Sequence, residues 1–211
     1  MKHYDSIDRW NDKYFGHSVV GFDKIDGSCI RIEWNRKLSK KSQFTQGFGK
    51  FGTRGEMIQH WRNPYTEAVN IFMDKYSQPL DKIFYDNPIF RGNDKVTVFC
   101  EFYGENSFAG HHNWQETHDV ILFDVNLYKK GLMPPNMFVE TFGQLDIPKV
   151  IYKGILDEDV IKDVQDNKFN LKEGMVIKGL NNKTVFMMKV KTWEWLDKVR
   201  ELYGEKLMLE Y

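Results

Sequence analysis

The stretch GFDKIDGSCIRIEW, Gly21 to Trp34, sets a lysine, an aspartate and a glycine between two runs that alternate like strands. Val19 to Asp23 forms the first run. Ser28 to Trp34 forms the second, with Ile30, Ile32 and Trp34 on one face and Cys29, Arg31 and Glu33 on the other, because successive strand residues point to opposite faces. Asp26-Gly27 then reads as the tight turn joining the two strands. Lys24 closes the first strand, so its amine projects from the sheet rim toward whatever the turn faces.

Outward from this stretch, residues 36 to 56 (KLSKKSQFTQGFGKFGTRGE, beginning at Lys37) are polar and glycine-rich and predict a loop or ragged hairpin able to meet something charged. Asn63-Pro64 makes an N-cap and N1 pair for a helix carrying Val69, Phe72, Met73 and Tyr76, expected to stop at Pro79. Strands are predicted at Val96 to Phe102 and Val120 to Val125, and a short helix at Asp157 to Gln165. Paired strands follow at Met175 to Lys178 and Thr184 to Lys191, joined by GLNNK. A last helix is capped by Thr192, with Leu196, Val199, Leu202 and Tyr203 on one side. The pattern is α+β, with mostly antiparallel sheet and few helices.

At 211 residues the chain suits one sizeable core, and it is read as one domain. Thirty basic side chains balance thirty acidic ones, so any nucleic-acid surface must be local. Cys29 and Cys100 sit in apolar strand-like runs without CxxC spacing, which predicts free thiols in a reducing compartment. No apolar run approaches membrane length and the N-terminus lacks a signal-like apolar core, so a soluble, cytoplasmic protein is expected. The HHNWQETH stretch, with His111, His112 and His118, lacks a clear fourth ligand and reads as an ordinary loop.

Charge on strands is the informative feature. Lys189 and Lys191 share a face with Val185 and Met187, and two cations on an otherwise apolar face are costly unless an anion binds there. Phosphate is the natural anion. KIDG at Lys24, Thr53-Arg54, Glu101 at a strand end before Gly104, Phe123-Asp124, Glu173-Gly174 and Lys189-x-Lys191 follow one another in order. This series resembles the covalent nucleotidyltransferases: ATP-dependent RNA and DNA ligases and mRNA capping enzymes. It runs from Asp23 to Lys191. The resemblance implies an ATP-grasp-like nucleotidyltransferase fold of antiparallel sheets flanked by helices, with an adenylyltransferase domain over 1–191 and a helix over 192–211 packed on it.

It also implies roles. Lys24 would attack the α-phosphorus of ATP to give a lysyl-AMP, and an ordinary protonated lysine needs burial or neighbouring cations to do so. Lys189 and Lys191 would supply those cations and neutralise phosphate. Phe123 would stack on adenine, Glu101 would bond a ribose hydroxyl, and Arg54 would contact ribose or the acceptor-end phosphate. Asp23, Ile25, Asp26 and Gly27 would line the nucleotide beside Lys24. Glu173 would hold Mg²⁺ or Mn²⁺, directly or through water.

Only twenty residues follow Lys191, so the oligonucleotide-binding (OB) barrel of capping enzymes and most DNA ligases is expected to be absent. IPKVIYKG, Ile147 to Gly154, is similar to a stretch common in the RNA ligase branch. An RNA ligase acting on 5′-phosphate and 3′-OH ends is therefore expected, with room for a protein partner that supplies polynucleotide grip and with no membrane association. Cys29 stands where DNA ligases usually carry arginine and the better-known RNA ligases asparagine. A minimal DNA ligase and a non-catalytic end-binding module stay open as alternatives. KLSKKS (Lys37 to Ser42) and KFGTR are expected to supply most phosphate contacts near the pocket.

Overall fold

The computed structural model describes residues 1–41, 46–58 and 65–204. In chain order it runs β1 (Asp8–Arg9), β2 (Ser18–Asp23), β3 (Ser28–Asn35), α1 (Arg36–Ser39), β4 (Phe48–Thr53), α2 (Thr66–Asp86) and β5 (Lys95–Gly104). Then come β6 (His118–Leu127), β7 (Gly131–Leu132), α3 (Pro135–Phe142), β8 (Val150–Ile155), α4 (Glu158–Gln165), β9 (Gly174–Asn181), β10 (Thr184–Lys191) and α5 (Trp193–Tyr203). The strands form two five-stranded sheets, ordered β1-β10-β9-β2-β8 and β4-β3-β5-β6-β7. All pairs are antiparallel except β1 with β10.

Contacts divide the chain into two compact units. One comprises Met1–Asp5, Gly27–Met133 and Thr141–Ile147; the other comprises Ser6–Asp26, Pro134–Glu140 and the described chain from Pro148 onward. The hairpin expected at Asp26-Gly27 is therefore corrected. Strand β2 pairs with β8 and β9, while β3 pairs with β4 and β5, so Asp26-Gly27 carries the chain from one sheet to the other. The glycine is needed for close approach, since a Cβ on Gly27 would lie 2.2 Å from the Phe102 carbonyl oxygen. A crossover and a hairpin turn share the same dipeptide, and only a residue 75 positions downstream separates them.

In the first unit, the alternation of β3 buries Ile30, Ile32 and Trp34 completely, together with Val96, Val98, Cys100 and Phe102 of β5. The opposite face of β3 is covered as well, with Arg31 and Glu33 both buried. Helix α2 contributes Phe72, Tyr76, Leu80 and Phe84 to this core, and Trp34 donates its indole N–H to Asp81 at 2.6 Å. The helix runs through Pro79 to Asp86 rather than ending there. An interior proline costs about 3 kcal/mol, whereas burying Leu80 and Phe84 beyond it returns about 1.5–3 kcal/mol each, so the apolar stripe wins. The Asn63-Pro64 start lies outside the described residues. Within the expected loop at 36–56, Asn35 caps α1 by accepting from the Lys37 N–H (2.9 Å), and β4 completes a hairpin with β3.

In the second unit, Met175 and Ile177 of β9, Phe186, Met188 and Val190 of β10, and Val160, Ile161 and Val164 of α4 form one apolar cluster. The β9–β10 turn places Asn182 and Lys183 at φ 48° and 74°, the primed geometry that matches strand twist. Thr192 caps α5 by accepting from the Trp195 N–H at 3.2 Å. The buried side of α5 is Trp195 and Val199, while Leu202 is 59% exposed, so the expected stripe is rotated. Strands β1, β7 and β8 and helix α3 add to the elements expected from the sequence. Among the described residues no helix is long and apolar enough to cross a membrane.

Candidate active site

In the second unit, Phe186, Met188 and Val190 point into the apolar cluster, which leaves Val185, Met187, Lys189 and Lys191 on the other face of β10. Register extends that face across three strands: Lys189 opposes Val176, which opposes Phe22, and Met187 opposes Lys178, which opposes Val20. Lys178 is thus a third cation on this face, unforeseen although the alternation of MVIK shows it. It is 4% exposed, with its ammonium 5.2 Å from the centre of the Phe22 ring and 5.8 Å from that of Phe138.

Beyond the end of β2 the ladder continues, with the Lys24 N–H donating to the Gly174 carbonyl at 3.0 Å. Glycine is required at 174, because a Cβ there would lie 2.1 Å from the Val190 carbonyl oxygen. This tight entry into β9 carries Glu173 inward, where its residue is 1% exposed. Lys24 Nζ donates to Glu173 Oε2 at 2.8 Å, and Lys191 Nζ donates to Glu173 Oε1. One buried carboxylate therefore bridges two ammonium groups. Burial pushes the Lys191 amine down to about 8; Lys24 and Lys189 add to this and Glu173 opposes it.

Lys191 also lies 3.3 Å from the centre of the Trp195 ring, a cation–π contact, and the Trp195 indole N–H donates to Asp26 Oδ2 at 3.3 Å. Trp195 escapes a reading of the sequence because it looks like one more apolar residue of a terminal helix. Asp23 points away from the Phe22 and Lys24 face by alternation. Burial raises its carboxyl above the usual range, nearby Glu173 adds to that, and its buried Oδ1 has no partner among the described residues. Its N–H donates to the Lys149 carbonyl at 2.9 Å, which ties the IPKVIYKG stretch to the strand that carries Lys24. Ile25 is half-buried.

In the first unit, Cys29, Glu101 and Ile121 stand opposite one another across β3, β5 and β6. The β5–β6 register passes from Cys100↔Leu122 to Phe99↔Asp124, so Phe123 is the extra residue of a β-bulge. The bulge sends Phe123 and Asp124 to the same side, away from the core face of Leu122 and Val125. Strict alternation would have separated them. Tyr4 packs on this side, its hydroxyl donating to Asp124 Oδ2 at 2.9 Å and its ring edge-on to Phe123 at 4.9 Å. Phe123 keeps part of its surface exposed. The Cys29 thiol is pushed up, first by burial and then by Glu101, with Arg54 and Arg31 opposing, so these groups share one neighbourhood. Arg54 itself is exposed at the end of β4.

One expectation changes in this unit. Lys37, Lys40 and Lys41 belong to the Asn35 end of β3, about 20 Å along the strand from Cys29, so they are remote from Glu101 and Phe123; Ser42 lies outside the described residues. In the HHNWQETH stretch, the His112 ring nitrogens lie 2.8 Å from Ser28 Oγ and 3.1 Å from Ser107 Oγ, and His118 Nδ1 lies 2.9 Å from Glu67. Both cysteines are free.

The model of the RNA ligase family matches residues 17–191. No curated protein matches the chain in sequence. Among solved structures, Naegleria gruberi RNA ligase with pyrophosphate is similar at TM-score 0.65 and 17% identity, covering 95% of this chain and 58% of that one. A point mutant of that ligase with ATP and Mn gives TM-score 0.61 and 18% identity, covering 90% and 53%. Another mutant with AMP and Mn gives 0.63 and 17%, covering 94% and 58%. The chain spans little more than half the length of the solved chains it matches, and the likeness establishes the nucleotidyltransferase fold.

Proposed function

We propose, from the premise that this chain belongs to the RNA ligase family, that it is an ATP-dependent ligase joining 5′-phosphate and 3′-OH ends of RNA through an adenylate carried on Lys24. The observation that carries the reading is the buried Glu173 carboxylate held between Lys24 and Lys191. In the first step Lys24 Nζ attacks the α-phosphorus of ATP, a P–N bond forms and pyrophosphate leaves. In the second an oxygen of the RNA 5′-phosphate attacks that phosphorus, the P–N bond breaks and Lys24 is released. In the third the 3′-OH attacks the 5′-phosphorus, the phosphodiester forms and AMP leaves.

Each residue has a task in this sequence. The attacking amine must lose a proton, and Glu173 Oε2 at 2.8 Å is the acceptor within reach. Lys178, Lys189 and Lys191 offset the negative charge of the phosphates and of the pentacovalent transition state. Asp26, held by Trp195, and its neighbours Ile25 and Gly27 frame the nucleotide next to Lys24, while Asp23 acts from the opposite face by anchoring the end of β2 through its N–H to the Lys149 carbonyl. Phe123 offers adenine a stacking face, Glu101 accepts from a ribose hydroxyl, and Arg54 takes ribose or the acceptor-end phosphate. Among the described residues no cluster of three acidic, histidine or cysteine side chains gathers. A single carboxylate, Glu173, suits Mg²⁺ or Mn²⁺ that would be held through water and by phosphate oxygens, where the metal would withdraw charge from the α-phosphate.

Incubation with α-labelled ATP and Mg²⁺, followed by denaturing electrophoresis, tests the reading. Label should stay on the wild-type protein and vanish in Lys24→Ala. Acid-labile label that persists in Lys24→Ala would move the nucleophile elsewhere, and no label on the wild type would leave only an end-binding role.

A further inference from the structure

In a chain of zero net charge, one end of the β4-β3-β5-β6-β7 sheet collects cations. There Asn35 pairs with Lys95, the Arg36 N–H donates to the Asp94 carbonyl (2.9 Å), and the Tyr128 N–H donates to the Lys95 carbonyl (3.3 Å). These links bring α1, the start of β5 and the β6–β7 turn together, and with them Lys37, Lys40, Lys41, Lys95, Lys129 and Lys130. None of the six enters an ion pair among the described residues. Of the acids close by in the chain, Asp86 is already paired with Lys82 at 2.7 Å, and Asp94, exposed beside Lys95, is one acid against six lysines.

Tyr128 stands in this field, 54% exposed, with the Lys95 and Lys129 ammonium groups 5.9 and 5.4 Å from its ring centre. Lys129 has φ +64°, a left-handed conformation that glycine or asparagine adopts with least strain. The turn thus carries a lysine where its geometry favours another residue. Like charges that outnumber the acids around them raise the local potential and draw polyanions. An exposed aromatic ring flanked by cations pairs base stacking with phosphate contact, the combination used for single-stranded nucleic acid. This end of the sheet lies six residues along β3 and β5 from Cys29 and Glu101, about 20 Å or roughly six nucleotides at 3.4 Å per nucleotide.

We propose that the Lys95–Tyr128–Lys129 surface is a second RNA contact, where lysines hold the backbone and Tyr128 stacks on an unpaired base about six nucleotides along the strand from the Cys29 and Glu101 end of the sheet. This rests on the ligase reading above for the identity of the polyanion. The test measures binding of 5′-phosphorylated single-stranded RNA of 6 and of 20 nucleotides across a salt series. The proteins are the wild type, the triple variant Lys95→Gln/Lys129→Asn/Lys130→Gln, and Tyr128→Ala, each checked for an unchanged thermal midpoint. For the 20-mer, the log–log salt slope should fall by about two in the triple variant, at about 0.7 for each phosphate no longer neutralised. Tyr128→Ala should weaken the 20-mer roughly tenfold with its slope preserved, and the 6-mer should bind all three proteins alike. Unchanged 20-mer affinity and slope in both variants would overturn the proposal. So would vesicles of anionic phospholipid that sediment the wild type but not the triple variant while RNA binding stays equal. Absence of label transfer from ATP to the wild type would sink the ligase reading alone, because the binding comparison does not need that chemistry.

Discussion

Lys191 is placed where a cation is disfavoured, yet the proposed phosphate chemistry needs it charged. Its amine titrates near 8 in the free protein, chiefly through burial. Because kcat/KM reports ionisations of the free enzyme, kcat/KM for label transfer should fall as pH rises through about 8. Lys191→Arg keeps its charge to about pH 12 and beyond; that variant should lose the alkaline fall even if its absolute rate is lower. A fall at the same pH in both proteins would assign the limb to another group. Stability follows the same sign. With the folded value below the unfolded one, the unfolded chain binds more protons between about 8 and the ordinary lysine value, so this residue makes stability rise with pH across that window. Phe123 poses a different demand, a ring held by a bulge and only partly buried. Phe123→Ala should lower kcat/KM for ATP by about tenfold or more, the order of a single base–aromatic stack, while Phe123→Tyr and Phe123→Trp retain most of it. Equal losses in all three would mean the ring only packs against Tyr4 and Phe99.

At the scale of elements, alternation makes strands visible and leaves their partners hidden. The Ile30, Ile32 and Trp34 face of β3 was legible because each of those side chains is fully buried. The destination of β3 was not, because Asp-Gly serves a hairpin turn and a close-packed crossover equally well and the deciding contact is the distant Phe102 carbonyl. Lys178 could have been found by the same alternation that identified Lys189 and Lys191, since Met187 opposes it. The bulge at Phe123 could not, because an extra residue in one strand is defined only by its register with another. Trp195 becomes meaningful only once Lys191 and Asp26 flank it. Pro79 misled for an energetic reason, local propensity being outweighed by burial of Leu80 and Phe84. Pro79→Ala would restore an N–H to the Lys75 carbonyl, so it should raise stability by about 1–3 kcal/mol and leave label transfer unchanged. A lower thermal midpoint in that variant would mean α2 relies on the proline ring for packing.

For the whole molecule, the decisive quantities are a net charge of zero and a span of 58% of the length of the Naegleria gruberi ligase with pyrophosphate. Phosphate contacts dominate nucleic-acid affinity and weaken as added salt reduces the gain from counterion release, so a neutral chain must rely on local cations and should bind its polynucleotide weakly. Sealing should therefore fall between about 50 and 200 mM salt with a slope set by the number of phosphates those local cations neutralise, unless a protein partner supplies further grip. The strand that provides the 3′-OH is the remaining choice. RNA differs from DNA at a given position by its 2′-hydroxyl, which both donates and accepts. At a matched nick and low salt, sealing should be faster with ribonucleotides on the 3′-OH side than with DNA on both sides. The comparison is best made on pre-adenylylated nicks, which bypass the first chemical step and leave only recognition of the ends and the final attack. Faster sealing of the all-DNA nick would replace RNA by DNA as the proposed substrate while leaving Lys24 as the proposed nucleophile, because in that scheme the Lys24–Glu173–Lys191 arrangement would act on ATP and not on the sugar of the acceptor strand.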